Sequence, residues 1–285
     1  LKIEKSDDPS RESHVPIFPF SILNFQFVLM TRVLIFLLIL LTAIFAFAHF
    51  LRRTGMFFPD QYPVGRWERS AFLIEPSEHT FITSDGVKLH AWRFDAKDPD
   101  APVMIWFHGN AGNLTDRADM AVEHAKRGIS VFVFDYRGYG KSEGKASESK
   151  LFLDSLASFD YVRNKGAKKI VLYGESVGGP YAAYVAKERK GSVRAVILEN
   201  SFPSLKDMGN ALYRPLPLGW TAPFALRTTA WLNDAGVPVL VMHGTRDAVI
   251  PYSLGEKLYD GLRVRKEMLT SHAGHCEIPI FEPAR

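Results

Sequence analysis

The sequence is poorest in cysteine. Cys276 stands alone among 285 residues, which excludes any disulfide within the chain. C-x-x-C pairs, H-E-x-x-H, an acidic calcium loop and a Walker-type glycine loop are all missing, so the pattern points to neither a metal nor a nucleotide. Charge of one sign is scarce too. The net charge is +4 and no run of five like charges occurs, a balance compatible with a membrane surface and unlike that of a nucleic-acid binder. Internal repeats and low-complexity tracts are also lacking. Apolar residues are plentiful: the chain is 47% hydrophobic, enough at this length to bury the core of one large α/β domain with an appendage.

The longest uncharged run is VLIFLLILLTAIFAFAHFL at residues 33–51, bracketed by Arg32 and by Arg52-Arg53. At a rise of ~1.5 Å per residue such a helix is ~28 Å long, close to the hydrocarbon thickness of a bilayer. It reads as a single membrane anchor. The competing reading is a cleaved signal peptide, with Met30-Thr31-Arg32 as its basic start and Ala46-Phe47-Ala48 as a small-x-small cleavage site. Basic residues on both sides leave the orientation open. The chain therefore divides into residues 1–29, a candidate upstream extension before Met30; residues 30–53, anchor or signal; a tether at 54–78; and a folded domain at 79–285.

Within the last part, a period-two alternation flanks Asp85-Gly86, the mark of a hairpin. Strand-like segments follow near 103–107, 130–134, 169–173, 194–199, 237–242 and 266–270. Helical segments lie near 114–127, 148–164, 179–189 and 252–262. An antiparallel start followed by repeated β-α units predicts an α/β fold: a mostly parallel central sheet with helices on both faces, preceded by the N-terminal hydrophobic helix. Residues 203–235, rich in proline and aromatics, break the rhythm. They read either as a small helical cap over a site or as a helix pair packed on the sheet edge.

The chemistry concentrates in Gly174-Glu175-Ser176-Val177-Gly178, which follows a β-branched run and precedes a small-residue helix. Strand, tight turn with serine at its tip, then helix is the context in which G-x-S-x-G carries meaning. A serine hydroxyl needs a base within reach and a group that orients the base. Both are sought beyond later strands, because reactive groups in open α/β sheets gather at the carboxyl ends. Asp247, in His243-Gly244-Thr245-Arg246-Asp247, is the candidate acid. His275, in Gly274-His275, is the candidate base, with His272 as a weaker competitor lacking the preceding glycine. The order serine, acid, histidine matches that of the serine hydrolases built on such sheets. An oxyanion needs N–H donors. Val177 supplies one, and Asn110 or Ala111, in His108-Gly109-Asn110-Ala111-Gly112-Asn113, supplies the other. His108 reads as structural.

These motifs, with Asp135-Tyr136-Arg137-Gly138-Tyr139-Gly140-Lys141-Ser142, resemble those of the α/β-hydrolase superfamily of serine hydrolases. The chain is most similar to the N-terminally membrane-anchored abhydrolase-domain branch, and the resemblance covers about residues 67–280. It implies Ser176 as nucleophile, Asp247 as orienting acid, His275 as general base and no cofactor. It also implies a structural role for the turn at 135–142. Glu199, at the end of a strand where some relatives place their acid, reads as a buried support. Glu175 and Cys276 receive no chemical role. The family usually closes with a helix beyond its histidine, and ten residues follow His275 here.

The expected activity is cleavage of an ester, thioester or amide through an acyl-enzyme on Ser176. The anchor and the aromatic-rich insertion favour a lipidic or acylated substrate. The alternatives are a serine aminopeptidase-like peptidase and a non-catalytic binding protein on the same fold. The expected location is a membrane, through residues 33–51, or outside the cell after signal cleavage. No nucleic acid is expected as partner, and the oligomeric state is left open.

Overall fold

The computed structural model describes residues 20–54, 56–212 and 226–277, with side chains between 25 and 47 and from 56 onward in those spans. Two compact units divide at Phe47 and Ala48. The first is dominated by helix α1 (Phe20–Thr54), which runs through Met30 without a break. Its apolar stretch, Phe25–Phe47, has a mean hydropathy of 2.7, and none of it is buried. Length and composition allow this helix to cross a membrane. Its apolar span begins upstream of the run read from the sequence, because Phe25, Phe27, Val28 and Leu29 join the helix ahead of Arg32. Thr31 and Thr42 donate their hydroxyls to the carbonyls of Phe27 and Leu38, one turn back, so neither leaves an unpaired polar group on the helix.

The second unit is built on one sheet. In chain order its elements are β1 (Phe58–Pro59), β2 (Ser77–Ile82), β3 (Lys88–Phe94), β4 (Val103–Phe107), β5 (Ala111–Gly112), α2 (Ala118–Lys126), β6 (Ser130–Phe134), α3 (Glu148–Asn164), β7 (Ile170–Glu175), α4 (Gly178–Glu188), β8 (Ala195–Glu199), α5 (Leu205–Leu212), α6 (Thr228–Ala235), β9 (Val239–Gly244), α7 (Tyr252–Gly261) and β10 (Lys266–Ser271). Eight strands form the sheet in the order β10-β9-β8-β7-β4-β6-β3-β2. The six from β10 to β6 are parallel, and β3 and β2 are added antiparallel. β1 and β5 pair separately as a short parallel ribbon.

Central strands buried on both faces read as continuous apolar runs. In β4 and β6 every residue is buried. Alternation sends Ile105, Phe107, Phe132 and Phe134 to a core shared with α3, α4, α6 and α7. Met104, Trp106, Val131 and Val133 go to the opposite core under α2, with Phe72 and Trp92. The segment read as one helix near 114–127 is split. A single 3-10 turn (Leu114–Arg117) precedes α2, because Asn113 caps the Thr115 N–H while Asp116 returns a bond to the Asn113 N–H.

Of the insertion at 203–235, α6 packs on α4 through Trp231, which meets Tyr184 and Phe152 with ring centroids 5.3 and 5.6 Å apart. α5 reaches α7 through an Asp207–Lys257 ion pair. The intervening residues 213–225, on which the cap reading rests, lie outside the described residues.

Candidate active site

Ser176, Asp247 and His275 stand just beyond the carboxyl ends of the parallel strands β7, β9 and β10, with β8 between the first two, and are brought into hydrogen-bond contact. His275 Nε2 lies 3.1 Å from Ser176 Oγ, and its Nδ1 lies 2.8 Å from Asp247 Oδ2. With Asp247 accepting the Nδ1 proton, Nε2 presents a lone pair to the serine hydroxyl.

Ser176 holds the left-handed conformation, with φ 54°. A non-glycine residue there costs about 1–3 kcal/mol and persists only when its surroundings over-determine it. The surroundings do so. The Ser176 N–H donates to the Glu199 carbonyl of β8 at 2.8 Å, while the Ser176 carbonyl accepts from the Gly179 N–H and the Ser201 hydroxyl. The turn is so tight that a Cβ on Gly178 would lie 1.9 Å from the Phe107 carbonyl oxygen of β4. One on Gly174 would lie 2.5 Å from the Gly179 Cα. The glycines therefore serve close backbone approach. Val177 is the N-cap of α4, where first-turn N–H groups have no partner within the helix and the dipole favours negative charge.

Asp247 is held from three sides. Its Oδ1 accepts from the Val249 and Ile250 N–H groups at 2.8 Å each, and its Oδ2 accepts from Asn200 Nδ2 as well as from His275. Burial works against its ionisation, but the bonds from His275, Ile250 and Asn200 outweigh it and hold the carboxyl below the usual aspartate range. His243 stands 3.5 Å from the same oxygen. Its own proton goes from Nε2 to the Ile250 carbonyl at 3.0 Å, and burial holds the ring neutral.

The loop bearing His275 leans on the end of β9. The Arg246 N–H donates to the Ala273 carbonyl, and Arg246 Nε donates to the His272 carbonyl at 2.8 Å. A Cβ on Gly244 would come within 2.4 Å of the Ala273 oxygen, so glycine at 244 permits this contact. Gly274 also lacks space for a side chain, since a Cβ there would lie 2.6 Å from Glu277 Oε2, and within the same loop Cys276 holds the left-handed conformation, with φ 54°. His272, the competitor, points to Thr245 Oγ1 at 3.0 Å and has no contact with Ser176 among the described residues.

The other candidates fall beside Ser176. Asn110 lies on the loop between β4 and β5 and Ala111 opens β5; Gly109 of that loop approaches so closely that a Cβ there would be 3.6 Å from the Ser176 Cβ. The Asn110 carbonyl is held by the Phe58 N–H at 2.8 Å and the Tyr139 hydroxyl at 2.7 Å. In a trans peptide the following N–H points opposite to that carbonyl, so these two bonds aim the Ala111 N–H. His108 is buried, donates Nδ1 to the Gly109 carbonyl at 2.8 Å and packs edge-on to Tyr136 and Tyr139. Glu199 accepts the Tyr173 hydroxyl.

Sequence reasoning missed Asn200 and Arg117. Asn200 is fully buried at φ 48°, a conformation asparagine tolerates better than most residues, and its position directly after a central strand was the available signal. Among the described residues no group of histidine, cysteine and carboxylate side chains is placed to hold a metal. A cleft of about 750 Å³ lined by residues including Tyr62, Val64 and Lys145 does not include Ser176.

Comparison with known proteins gives a consistent picture. Residues 97–231 match the family model described as serine aminopeptidase, S33. The YfhR protein of Salmonella typhi is 32% identical over 235 residues, spanning 75% of this chain and 77% of that protein. The α/β-hydrolase domain-containing protein WAV2 of Arabidopsis thaliana is 31% identical over 207 residues, spanning 66% of this chain and 67% of that one. Among solved structures, an esterase of Pyrococcus furiosus superposes with a TM-score of 0.62 at 23% identity, covering 77% of this chain and 90% of the esterase. At that identity the likeness speaks for the fold.

Proposed function

Because this chain belongs to the α/β-hydrolase superfamily, whose members include hydrolases built on the same sheet, we propose that it is a serine hydrolase acting through an acyl-enzyme on Ser176. The observation that carries the reading is the unbroken line of contacts from Ser176 Oγ through His275 to Asp247. His275 Nε2 takes the hydroxyl proton as Oγ attacks the substrate carbonyl. The N–H groups of Val177 and of Asn110 or Ala111 receive the oxyanion, each such donor lowering the barrier by about 3 kcal/mol. His275 then gives its proton to the leaving alcohol, thiol or amine. In the second half it takes a proton from water, which attacks the acyl carbon, and returns one to Ser176. Asp247 fixes the Nδ1–H tautomer and stabilises the imidazolium.

Esters and thioesters of lipidic or acylated molecules are the proposed substrates. Support comes from the apolar helix α1 ahead of the domain, read as a membrane anchor, or as an export signal removed after translocation. A second reading, an aminopeptidase, is favoured by the family model that matches residues 97–231.

Labelling of the purified protein with a fluorescent fluorophosphonate, beside Ser176→Ala, tests the proposal. Rapid labelling of the wild type alone is expected, and equal labelling of the variant refutes the assignment. Turnover of acyl esters against N-terminal aminoacyl amides then separates esterase from peptidase.

A further inference from the structure

Glu175 immediately precedes Ser176, and its buried carboxylate is gripped by Arg117 from the 3-10 turn after the 108–113 loop. Arg117 Nη2 donates to Oε1 at 2.6 Å and Nε donates to Oε2 at 3.1 Å, a two-pronged geometry that fixes direction as well as distance. Trp106 Nε1 adds a third bond at 3.0 Å. The remaining arm of the guanidinium turns the other way. Nη1 donates to the carbonyls of Ala111 and Asn113, at 3.2 Å each, and sits 3.3 Å from Asp116 Oδ2. A single side chain thus clamps the residue before the serine to the loop that carries the second oxyanion donor. Nothing stands between the two parts: a Cβ on Gly109 would be 3.0 Å from Glu175 Oε1.

Stability alone is a poor explanation for such a pair. Two desolvated charges are often replaceable by neutral side chains at little cost, while removing one partner strands the other. Arg117 also has a charge role. The Glu175 carboxylate lies one residue from the serine, where an unpaired negative charge opposes a developing oxyanion, and the guanidinium cancels it. Burial disfavours ionisation of Glu175, but the attraction and bonds of Arg117 prevail and hold its pKa at about 2, so the pair stays charged at neutral pH.

We propose that Glu175 and Arg117 form a positioning pair that sets the spacing and field between Ser176 and the N–H groups of the 110–111 loop, and thereby the rate of attack by Ser176. The proposal rests on the serine hydrolase reading above. Displacing a reacting geometry by about 1 Å can cost ~10²-fold in rate, so loosening the clamp should cost about 10-fold or more. Arg117→Gln, which leaves the carboxylate unpaired, should be slower than Glu175→Gln.

The test measures the pseudo-first-order rate of fluorophosphonate labelling and the midpoint of thermal unfolding on the full chain. The proteins compared are wild type, Ser176→Ala, both single variants, the Glu175→Gln/Arg117→Gln double variant and Arg117→Lys. The double variant has no stranded charge, so its unfolding midpoint should return towards the wild type while its labelling remains about 10-fold or more slower. Arg117→Lys keeps the charge without the two-sided grip and should be slow as well. A double variant that labels at the wild-type rate overturns the proposal, as does Arg117→Lys at the wild-type rate should the double variant not fold. If the wild type itself labels no faster than Ser176→Ala, the reading of Ser176 fails, and this inference with it.

Discussion

Replacing Asp247 by asparagine separates the acid's effect on the histidine from its effect on the fold. The two carboxylate oxygens are not equivalent. Oδ1 accepts two backbone N–H groups, from Val249 and Ile250, whereas Oδ2 faces His275 and the Asn200 amide. In Asp247→Asn the amide oxygen stays on the Oδ1 side, since the reverse would set an NH2 against two backbone donors. The new NH2 then faces Asn200 and His275. Asn200 can adapt: its Oδ1 has no hydrogen-bond partner among the described residues, so turning its amide presents an acceptor to the new donor. The cost in stability should therefore stay within about 1 kcal/mol, or roughly 2–4 °C in unfolding midpoint for a domain of this size. His275 has no such freedom. A donor opposite Nδ1 moves the ring proton to Nε2, which can then no longer accept the proton of Ser176. A wrong tautomer in this arrangement costs about 10⁴-fold in turnover, or ~5 kcal/mol of barrier. Turnover of a chromogenic ester with thermal unfolding alongside measures both quantities, and Glu199→Gln provides the control. Retention of activity within about 10-fold in Asp247→Asn would refute the assignment of the acid. A matching loss in Glu199→Gln would move that role to β8.

Gly178→Ala should fail to give soluble folded protein, because its methyl would meet the Phe107 carbonyl oxygen at 1.9 Å and neither backbone can yield; normal yield and a wild-type unfolding midpoint would contradict the packing of the elbow on β4. Acid should destabilise the fold through Glu175. Its pKa is held at about 2 in the folded state against an ordinary 4.5, so its stabilisation is complete above 4.5 and is lost as pH falls towards 2. Unfolding midpoints of the Glu175→Gln/Arg117→Gln variant should accordingly fall less steeply than those of the wild type between about pH 5 and pH 3, and parallel curves would refute this.

The β-α rhythm was readable because each element announces itself locally. The largely apolar runs at 103–107 and 130–134 became strands buried on both faces, and the helix read at 148–164 is α3. Local signals also named Ser176, Asp247 and His275, each just past a strand end, since chain order and the glycines around the serine are properties of the sequence. They could not reveal Asn200 or Arg117. Asn200 matters because β8 lies beside β9, which brings the residue after one strand to the carboxylate after the next. Arg117 looks like an ordinary basic residue in a polar turn until the pairing of β4 with β7 lays the 108–113 loop along the serine turn.

By itself, then, the sequence determined the fold class, the apolar N-terminal helix and the residue types available for chemistry. All three follow from short-range periodicity and steric need along the chain. The tertiary structure alone decided which groups touch: the strand order that aligns three loops, the buried donors that keep Asp247 ionised, the glycine at 244 that lets the histidine loop close in, and the ion pair behind the serine. Apart from the Val249 and Ile250 N–H groups on Asp247, those contacts join residues tens of positions apart. Their energies depend on burial and direction, which no local pattern encodes.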